Sequence, residues 1–127
     1  MATQEDVVRV RQRVRAVADQ EGFKLVDQTK LVTAASELAR NTFIYGGGGT
    51  TVIESVENGV KRGVRVTFED HGPGIADINL AMKDGYSSGG GLGLGLSGAK
   101  RLSNDFEIQS NPGEGTRVTI TRWRQEK

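Results

Sequence analysis

The chain contains no cysteine, so it can form neither a disulfide framework nor a thiolate metal cage, and it is compatible with a reducing cytosol. Its formal net charge is only +1, which gives no field strong enough to predict binding to nucleic acid or to an anionic membrane. No apolar run approaches the ~20 residues that span a bilayer, and the polar N-terminus is not typical of a secretory leader. We therefore expect a soluble cytoplasmic protein with a single domain over 1–127.

Glycine, in contrast, is abundant. The chain has 18 glycines, which partly explains a hydrophobic fraction of only 35%. Glycine adopts backbone conformations that other residues avoid, so a glycine-rich chain contains many tight turns and close backbone approaches. The densest runs are 46–49 and 89–98, and both adjoin segments with helical character.

Residues 6–21 fit two interpretations. The valines alternate with four arginines as in a strand, but they also recur at helical spacing, as Val7, Val10, Val14 and Val17 do. Gly22 is typical of a helix C-terminus, and the glutamines and alanines of the second half favour a helix. We predict a helix here.

A second helix is predicted from Asp27, which we expect to cap it, to about residue 45. Its inward-facing positions are Leu31, Ala35, Leu38 and Thr42. Two β-branched runs follow, and Asn58-Gly59 between them is a strong hairpin signal. These runs cover 50–56 and 60–68.

The rest of the chain is predicted as a short helix over 76–82, a helix over 92–102, and a hairpin of strands 106–110 and 116–123. Helices and strands in this order indicate an α/β sandwich of the α+β type. We expect two layers, with a mixed, mostly antiparallel sheet that carries its helices on one face.

Glu37 and Asn41 lie four residues apart in the second predicted helix, so their side chains emerge on one face. A neutral amide oxygen can bind Mg²⁺ while the ion takes its other ligands from water and phosphates. A carboxylate one turn away can accept the proton of an incoming hydroxyl beside a terminal phosphate. The alternative is an ordinary solvated helix face, where both residue types are common.

Asp70 follows a predicted strand and leads into a Gly-Pro-Gly turn over 72–74. A carboxylate at such a strand end can accept a hydrogen bond from the exocyclic amine of adenine, and ionic acceptors contribute roughly 1.5–3 kcal/mol. Gly72 and Gly74 let the backbone approach a purine plane without a Cβ clash. The alternative is a strand-to-helix turn in which Asp70 is a cap.

The glycine-dense segment 89–95 opens the helix predicted over 92–102. Successive backbone amides at a helix start form an anion-binding nest, which the helix dipole strengthens. Part of the segment matches the dinucleotide pattern G-x-G-x-x-G, but no buried strand precedes it and the acid at the expected distance, Glu114, lies in a turn. A Walker loop is excluded as well, since no Gly-Lys-Ser/Thr occurs.

Thr116 opens the last predicted strand. Its hydroxyl either supports Asp70 across the sheet, directly or through water, or belongs to an ordinary strand residue. The carboxylate–amide helix, the Asp-Gly-Pro-Gly turn and the glycine loop together contain the parts that a Mg-nucleotide site needs.

The three blocks at 37–41, 70–75 and 89–95 resemble the nucleotide-binding boxes of the GHKL superfamily, which covers gyrase, Hsp90, histidine-kinase catalytic domains and MutL. Within it, the chain is most similar to the small bacterial serine-protein kinases of sigma-factor partner switching, of the RsbT type associated with the stressosome. The resemblance covers nearly all of 6–123, and its motifs are specific in combination.

The resemblance implies a Bergerat fold that uses ATP with Mg²⁺ to phosphorylate a serine or threonine of a STAS-domain protein. By position, it implies that Glu37 is the catalytic base, Asn41 the magnesium ligand and Asp70 the adenine reader. The other implied nucleotide contacts are Gly72, Gly74, Ile75, Gly89, Gly90, Gly91, Leu92, Gly93, Leu94, Gly95 and Thr116.

The resemblance also implies partners. Proteins of the RsbT type are expected to bind and activate a PP2C-type phosphatase when released from the STAS protein. A second hypothesis is a nucleotide-gated interaction module that sequesters a protein partner, as an anti-sigma factor does. The presence of both Glu37 and Asn41 favours catalysis, because binding alone needs no base.

Two features depart from the family pattern. Only five residues precede Asp6, whereas relatives begin with an extra edge strand; this leaves a sheet edge open for homodimerisation or substrate, or reflects a cloning truncation. The segment between Ile75 and Gly89 is short for an ATP lid, so we expect closure over the nucleotide to be modest or to require the partner.

Overall fold

The computed structural model of the chain describes residues 4–44, 47–72 and 92–124. In chain order, the elements in these ranges are α1 (Gln4–Gln20), α2 (Leu25–Ile44), β1 (Gly49–Asn58), β2 (Lys61–Asp70), α3 (Leu92–Arg101), β3 (Asp105–Asn111) and β4 (Gly115–Trp123). The short helix predicted over 76–82 lies outside the described residues. Within them, none of the helices is both long and apolar enough to cross a membrane.

The valine-rich first segment is a helix, as predicted. Its buried residues recur at helical spacing, namely Val7, Val10, Val14 and Ala18. The helix ends before Gly22, whose φ of 83° lies in the left-handed region that favours glycine. The N–H of Phe23 then donates to the Ala18 carbonyl at 3.0 Å, which closes the end of the helix.

The inward face of α2 is also confirmed, because Leu31, Ala35, Leu38 and Thr42 are all buried. The prediction that Asp27 caps this helix was wrong. α2 begins at Leu25, and the carboxylate of Asp27 accepts a hydrogen bond from Arg122 Nη2 at 2.8 Å. Sequence pattern alone favours a cap for an aspartate at this place, whereas its actual partner lies 95 residues away in the chain.

The strands form one sheet in the order β1-β2-β4-β3, and each neighbouring pair is antiparallel. The predicted α+β sandwich is therefore confirmed, with a sheet that is antiparallel rather than mixed in its described strands. The first hairpin turns through Gly59, at a φ of 64°, and Val60. Val60 was expected to open the second strand but lies in the turn, 85% exposed.

The core lies between one face of the sheet and the three helices. Side chains alternate between the two faces of a strand, and the inward positions of the central strands are buried: Val64, Val66, Phe68, Val118 and Ile120. The opposite face is polar and exposed, as at Glu69 and Arg117, which pair across β2 and β4. This arrangement is the expected one for a sheet whose described helices all lie on one side.

Arg122 joins three elements at one end of the sandwich. Its Nη1 donates to the Leu102 carbonyl at 2.7 Å, just after α3, and its Nη2 binds Asp27 in α2. Both ionic side chains are largely buried, with exposed fractions of 13% for Arg122 and 6% for Asp27. We call the end defined by Asp27, Leu102 and Arg122 the anchored end.

A second ion pair at the anchored end attaches α1 to the sheet. Arg62 Nε donates to Glu21 Oε1 at 2.8 Å. Hydrogen bonds from Arg62 and then from Ser55 hold the pKa of the Glu21 carboxyl below its ordinary value. The Arg124 N–H also donates to the Arg62 carbonyl, so β4, β2 and the end of α1 meet here.

We predict that Asp27→Ala lowers the free energy of unfolding by about 3–5 kcal/mol, because it leaves the buried guanidinium of Arg122 without its carboxylate. Urea denaturation followed by circular dichroism measures the loss. Glu57→Ala is the matched control, since its ion pair with Arg62 is exposed and should leave the midpoint nearly unchanged. An Asp27→Ala protein as stable as this control would contradict the role of the anchored end.

Candidate functional site

Small and polar residues form a row across the sheet at the end opposite to the anchored end. Gly49 of β1 pairs with Asp70 of β2, and Asp70 pairs with Thr116 of β4. Ser110 of β3 pairs in turn with Thr116. These positions continue the inward-facing series that contains Phe68, so the row lies on the helix side of the sheet. We call these four residues the polar row.

Asp70 is the buried carboxylate of the polar row, with only 9% of the residue exposed. Its Oδ1 accepts the N–H of Gly72 at 2.9 Å, so two of the predicted nucleotide contacts are in direct contact with each other. Within the described residues, Oδ2 has no hydrogen-bond partner. A carboxylate held in this way is a strong acceptor for an N–H group of a ligand.

Thr116 lies directly opposite Asp70 in the sheet. From this position, one interpretation of the sequence predicted that the Thr116 hydroxyl would contact the Asp70 carboxylate. Its hydroxyl contacts a different side chain. Thr116 Oγ1 and Ser110 Oγ are 2.8 Å apart, and Ser110 Oγ is also 3.1 Å from the Gly115 carbonyl, to which it donates. The two hydroxyls therefore form a hydrogen-bonded pair beside the Asp70 carboxylate.

Two glycines keep the polar row closely packed. Gly115 has a φ of 95°, and a Cβ there would collide with the carbonyl of Asp70 and with His71 Cα. A Cβ on Gly49 would collide with the Glu69 carbonyl on the other side of β2. The backbone on both sides of Asp70 therefore approaches β2 more closely than a residue with a side chain allows.

Glu37 and Asn41 lie one turn apart on the C-terminal half of α2, as predicted. Glu37 Oε1 accepts a hydrogen bond from Arg40 Nη1 at 3.0 Å, and the Glu37 side chain is 40% exposed. Asn41 Nδ2 is buried and has no hydrogen-bond partner among the described residues. Such atoms are exceptions in folded proteins, and a ligand site is one explanation for them.

The end of α2 leads directly to the polar row. The Gly48 N–H donates to the Thr42 carbonyl at 3.1 Å, and the next residue, Gly49, pairs with Asp70. The C-terminal half of α2 therefore lies at the same end of the molecule as the polar row. The structure thus brings two of the three predicted blocks together.

The third block is described only in part. α3 begins at Leu92, and its first turn contains Leu92, Gly93, Leu94 and Gly95. α3 packs against α2, and its C-terminal end is held at the anchored end by Arg122. The predicted contacts Gly74, Ile75, Gly89, Gly90 and Gly91 lie outside the described residues.

Three residues of this end were not among the predicted site residues: Arg40, Gly49 and Ser110. The Arg40–Glu37 pair has a visible signal, because residues three apart on a helix are neighbours. Gly49 belongs to the glycine run 46–49, for which no role in a site was predicted. Ser110 could have been found from the strand register, but that register depends on how the turn between β3 and β4 is formed.

Comparison with known proteins identifies the family. Residues 26–126 match the family model described as histidine kinase-, DNA gyrase B-, and HSP90-like ATPase. The chain belongs to this ATPase family. It is also 48% identical to the serine/threonine-protein kinase RsbT of Bacillus subtilis over 121 residues. This match covers 95% of this chain and 91% of RsbT. The predicted membership of the GHKL group and the predicted class of enzyme, a serine/threonine-protein kinase, are confirmed.

Two other proteins are similar to this chain over most of its length. The anti-sigma F factor of Clostridium kluyveri is 29% identical over 113 residues, which is 86% of this chain and 80% of that protein. The mycobacterial sensor histidine kinase MprB superposes with a TM-score of 0.61 at 20% identity, over 97% of this chain and 95% of the other. The second similarity supports the Bergerat fold alone.

We predict that Gly115→Ala destabilises the protein more than Gly113→Ala does. Both glycines have a positive φ, of 95° and 81°, so both substitutions carry a backbone strain of about 1–3 kcal/mol. A Cβ at Gly113 meets no atom within 4 Å, whereas one at Gly115 collides with the Asp70 backbone. Urea denaturation of the two variants measures the difference, and equal losses would contradict the close approach.

Proposed function

We propose that the chain transfers a phosphoryl group from ATP to a serine or threonine of a STAS-domain protein in a bacterial partner-switching pathway that controls a sigma factor. One observation carries the proposal. The Glu37–Asn41 face of α2 and the polar row occupy the same end of the molecule. This end offers groups for a base, a metal ion and a purine within one region.

The polar row is the proposed site for the adenine base. Asp70 provides a carboxylate whose Oδ2 has no partner among the described residues, and this atom can accept a hydrogen bond from the exocyclic amine. Gly72 follows without a side chain and donates its own N–H to Oδ1. The carboxylate is therefore fixed before a ligand arrives, which reduces the entropic cost of binding.

The residues present also fit a magnesium nucleotide. The amide oxygen of Asn41 is a suitable Mg²⁺ ligand, whereas its Nδ2, which has no hydrogen-bond partner among the described residues, is a donor and would bind an acceptor atom of the ligand. The first turn of α3, with the proposed contacts at Gly93 and Gly95, can bind phosphate oxygens through backbone N–H groups. When bound, Mg-ATP would supply the transferable phosphoryl group and the charge neutralisation that its transfer requires.

Glu37 is the proposed general base, which takes the proton of the acceptor hydroxyl. Its carboxylate is partly exposed, so a side chain from another protein can reach it. Arg40 occupies one oxygen of Glu37 in this structure, through an ion pair whose partners are 50% and 40% exposed. Exposed pairs of this kind are weak, and an incoming hydroxyl can displace this one at small cost.

The proposed partners are inferred from the similarity of the chain to other proteins. The 48% identity to RsbT supports a STAS-domain substrate of stressosome type and the activation of a PP2C-type phosphatase by direct binding. The similarity to anti-sigma F factors supports a second candidate, a nucleotide-gated module that acts by sequestering its partner. The two candidates differ in their need for Glu37, because sequestration requires no base.

We predict that Glu37→Ala abolishes phosphoryl transfer, by at least ~100-fold, while ATP affinity stays within a few fold, because the base acts only on the acceptor hydroxyl. The assay is incubation with labelled ATP, Mg²⁺ and a panel of STAS domains, with ATP affinity measured by calorimetry. Arg40→Ala is the matched control: it removes the ion pair but keeps the base, so transfer should persist. Equal losses of transfer and of affinity in Glu37→Ala would refute the assigned role.

We predict that Asp70→Asn weakens ATP binding by about 10- to 100-fold, because a charged acceptor contributes roughly 1.5–3 kcal/mol. Calorimetry with ATP and with GTP measures both the affinity and the preference between the two bases. Glu69→Gln is the matched control, since the neighbouring carboxylate lies on the exposed face of the sheet. An unchanged preference for ATP over GTP in Asp70→Asn would rule out adenine recognition by this residue.

A further inference from the structure

Ser110 belongs to none of the three sequence blocks, yet its hydroxyl lies within the polar row. It is 2.8 Å from Thr116 Oγ1 and 3.1 Å from the Gly115 carbonyl oxygen. The distance between the two hydroxyl oxygens shows that they share a hydrogen bond, but it does not show which hydroxyl is the donor. The donor has to be identified from the other contacts of the two residues. The direction matters, because it determines what Thr116 can offer to a ligand.

Each hydroxyl has one proton. A carbonyl oxygen can only accept, so the contact between Ser110 and Gly115 uses the Ser110 proton. The contact between Ser110 and Thr116 must then use the Thr116 proton. Ser110 is also the one hydrogen-bond partner of the Thr116 hydroxyl within the described ranges. With its proton directed at Ser110, Thr116 presents only lone pairs in its remaining directions.

Asp70, directly opposite Thr116, is also restricted to accepting when ionised. The polar row therefore presents two hydrogen-bond acceptors side by side, a carboxylate and a hydroxyl oxygen. A primary amine, such as the exocyclic amine of adenine, has two N–H donors and suits such a pair. A carbonyl oxygen at the same position, as in hypoxanthine or guanine, would face two acceptors and leave buried polar groups unpaired.

We infer that Ser110 is a positioning residue for base specificity: by taking the Thr116 proton, it fixes Thr116 as an acceptor and so favours an amine-bearing purine over a keto purine. The inference rests on the proposed function, in which the polar row binds the base. Ser110 acts through Thr116 and touches neither the phosphates nor the acceptor protein.

A purely structural role makes a different prediction. The Ser110–Gly115 hydrogen bond also joins β3 to the start of β4, so its loss would lower stability. However, the loss of a hydrogen bond that only joins two strands should not change the preference between two purines that differ at a single position. The preference is therefore the decisive measurement, and stability is recorded beside it.

The experiment measures the affinities of the full chain for ADP and for IDP by calorimetry, because these ligands differ at the exocyclic position and cannot undergo transfer to a substrate. Ser110→Ala frees the Thr116 hydroxyl to rotate and donate, so the preference for ADP over IDP should fall by about three- to tenfold. Thr116→Val should lower it similarly, and the double variant should show no further fall. Ser110→Thr, which retains a hydroxyl, should restore the preference.

Thr119→Val is the matched control. Thr67 and Thr119 form a comparable cross-strand hydroxyl contact, at 3.4 Å, on the opposite face of the sheet. The control variant should retain the wild-type preference even if thermal denaturation shows a similar loss of stability.

Three results distinguish a failure of the inference about Ser110 from a failure of the proposed base site. If Ser110→Ala retains the wild-type preference while Thr116→Val loses it, the inference is wrong and the proposed base site stands. If the double variant falls below Thr116→Val, Ser110 acts independently of Thr116 and the inference is also wrong. If neither Thr116→Val nor Asp70→Asn changes the preference, the polar row does not bind the base, and the proposed function fails together with the inference.

Discussion

The antiparallel pairing of β2 with β4 extends without interruption from Gly63–Trp123 to Asp70–Thr116. Because side chains alternate between the two faces, a slip of one residue between these strands would turn either Asp70 or Thr116 to the solvent side. The buried pairs Phe68–Val118 and Val66–Ile120 hold the register, since a slip would also expose part of the core. The same hydrophobic contacts that stabilise the sheet thus place the two proposed base-binding residues side by side.

The two ends of the sandwich differ in how their polar groups are bonded. At the anchored end, Arg122 uses both terminal nitrogens, on α2 and on the end of α3, while its Nε is buried without a hydrogen-bond partner among the described residues. At the other end, Asn41 Nδ2 lacks a partner among the described residues, and Asp70 is bonded through one oxygen. A buried ion pair joins two elements at the anchored end, whereas in the proposed function a ligand satisfies the polar groups of the other end.

The elements that could be predicted are those set by local pattern. The stripe of α1, the inward face of α2 and the glycine turn of the first hairpin all depend on residues within a few positions of one another. The candidate blocks were also found locally, at Glu37, Asn41 and Asp70, because spacing along one helix or next to one turn determines which groups share a face.

What could not be predicted depends on long-range contacts. Asp27 has the sequence context of a cap, and only the packing of β4 against α2 brings Arg122 to its carboxylate. The contact between Ser110 and Thr116 requires knowledge of the register across the β3–β4 turn, which the residues of the turn do not fix uniquely. Local pattern therefore identified which chemical groups the chain has, whereas the sheet register decides the directions in which their hydrogen bonds point. In the proposed base site, the preference between purines is set by such directions, and it therefore depends on a serine that no sequence motif contains.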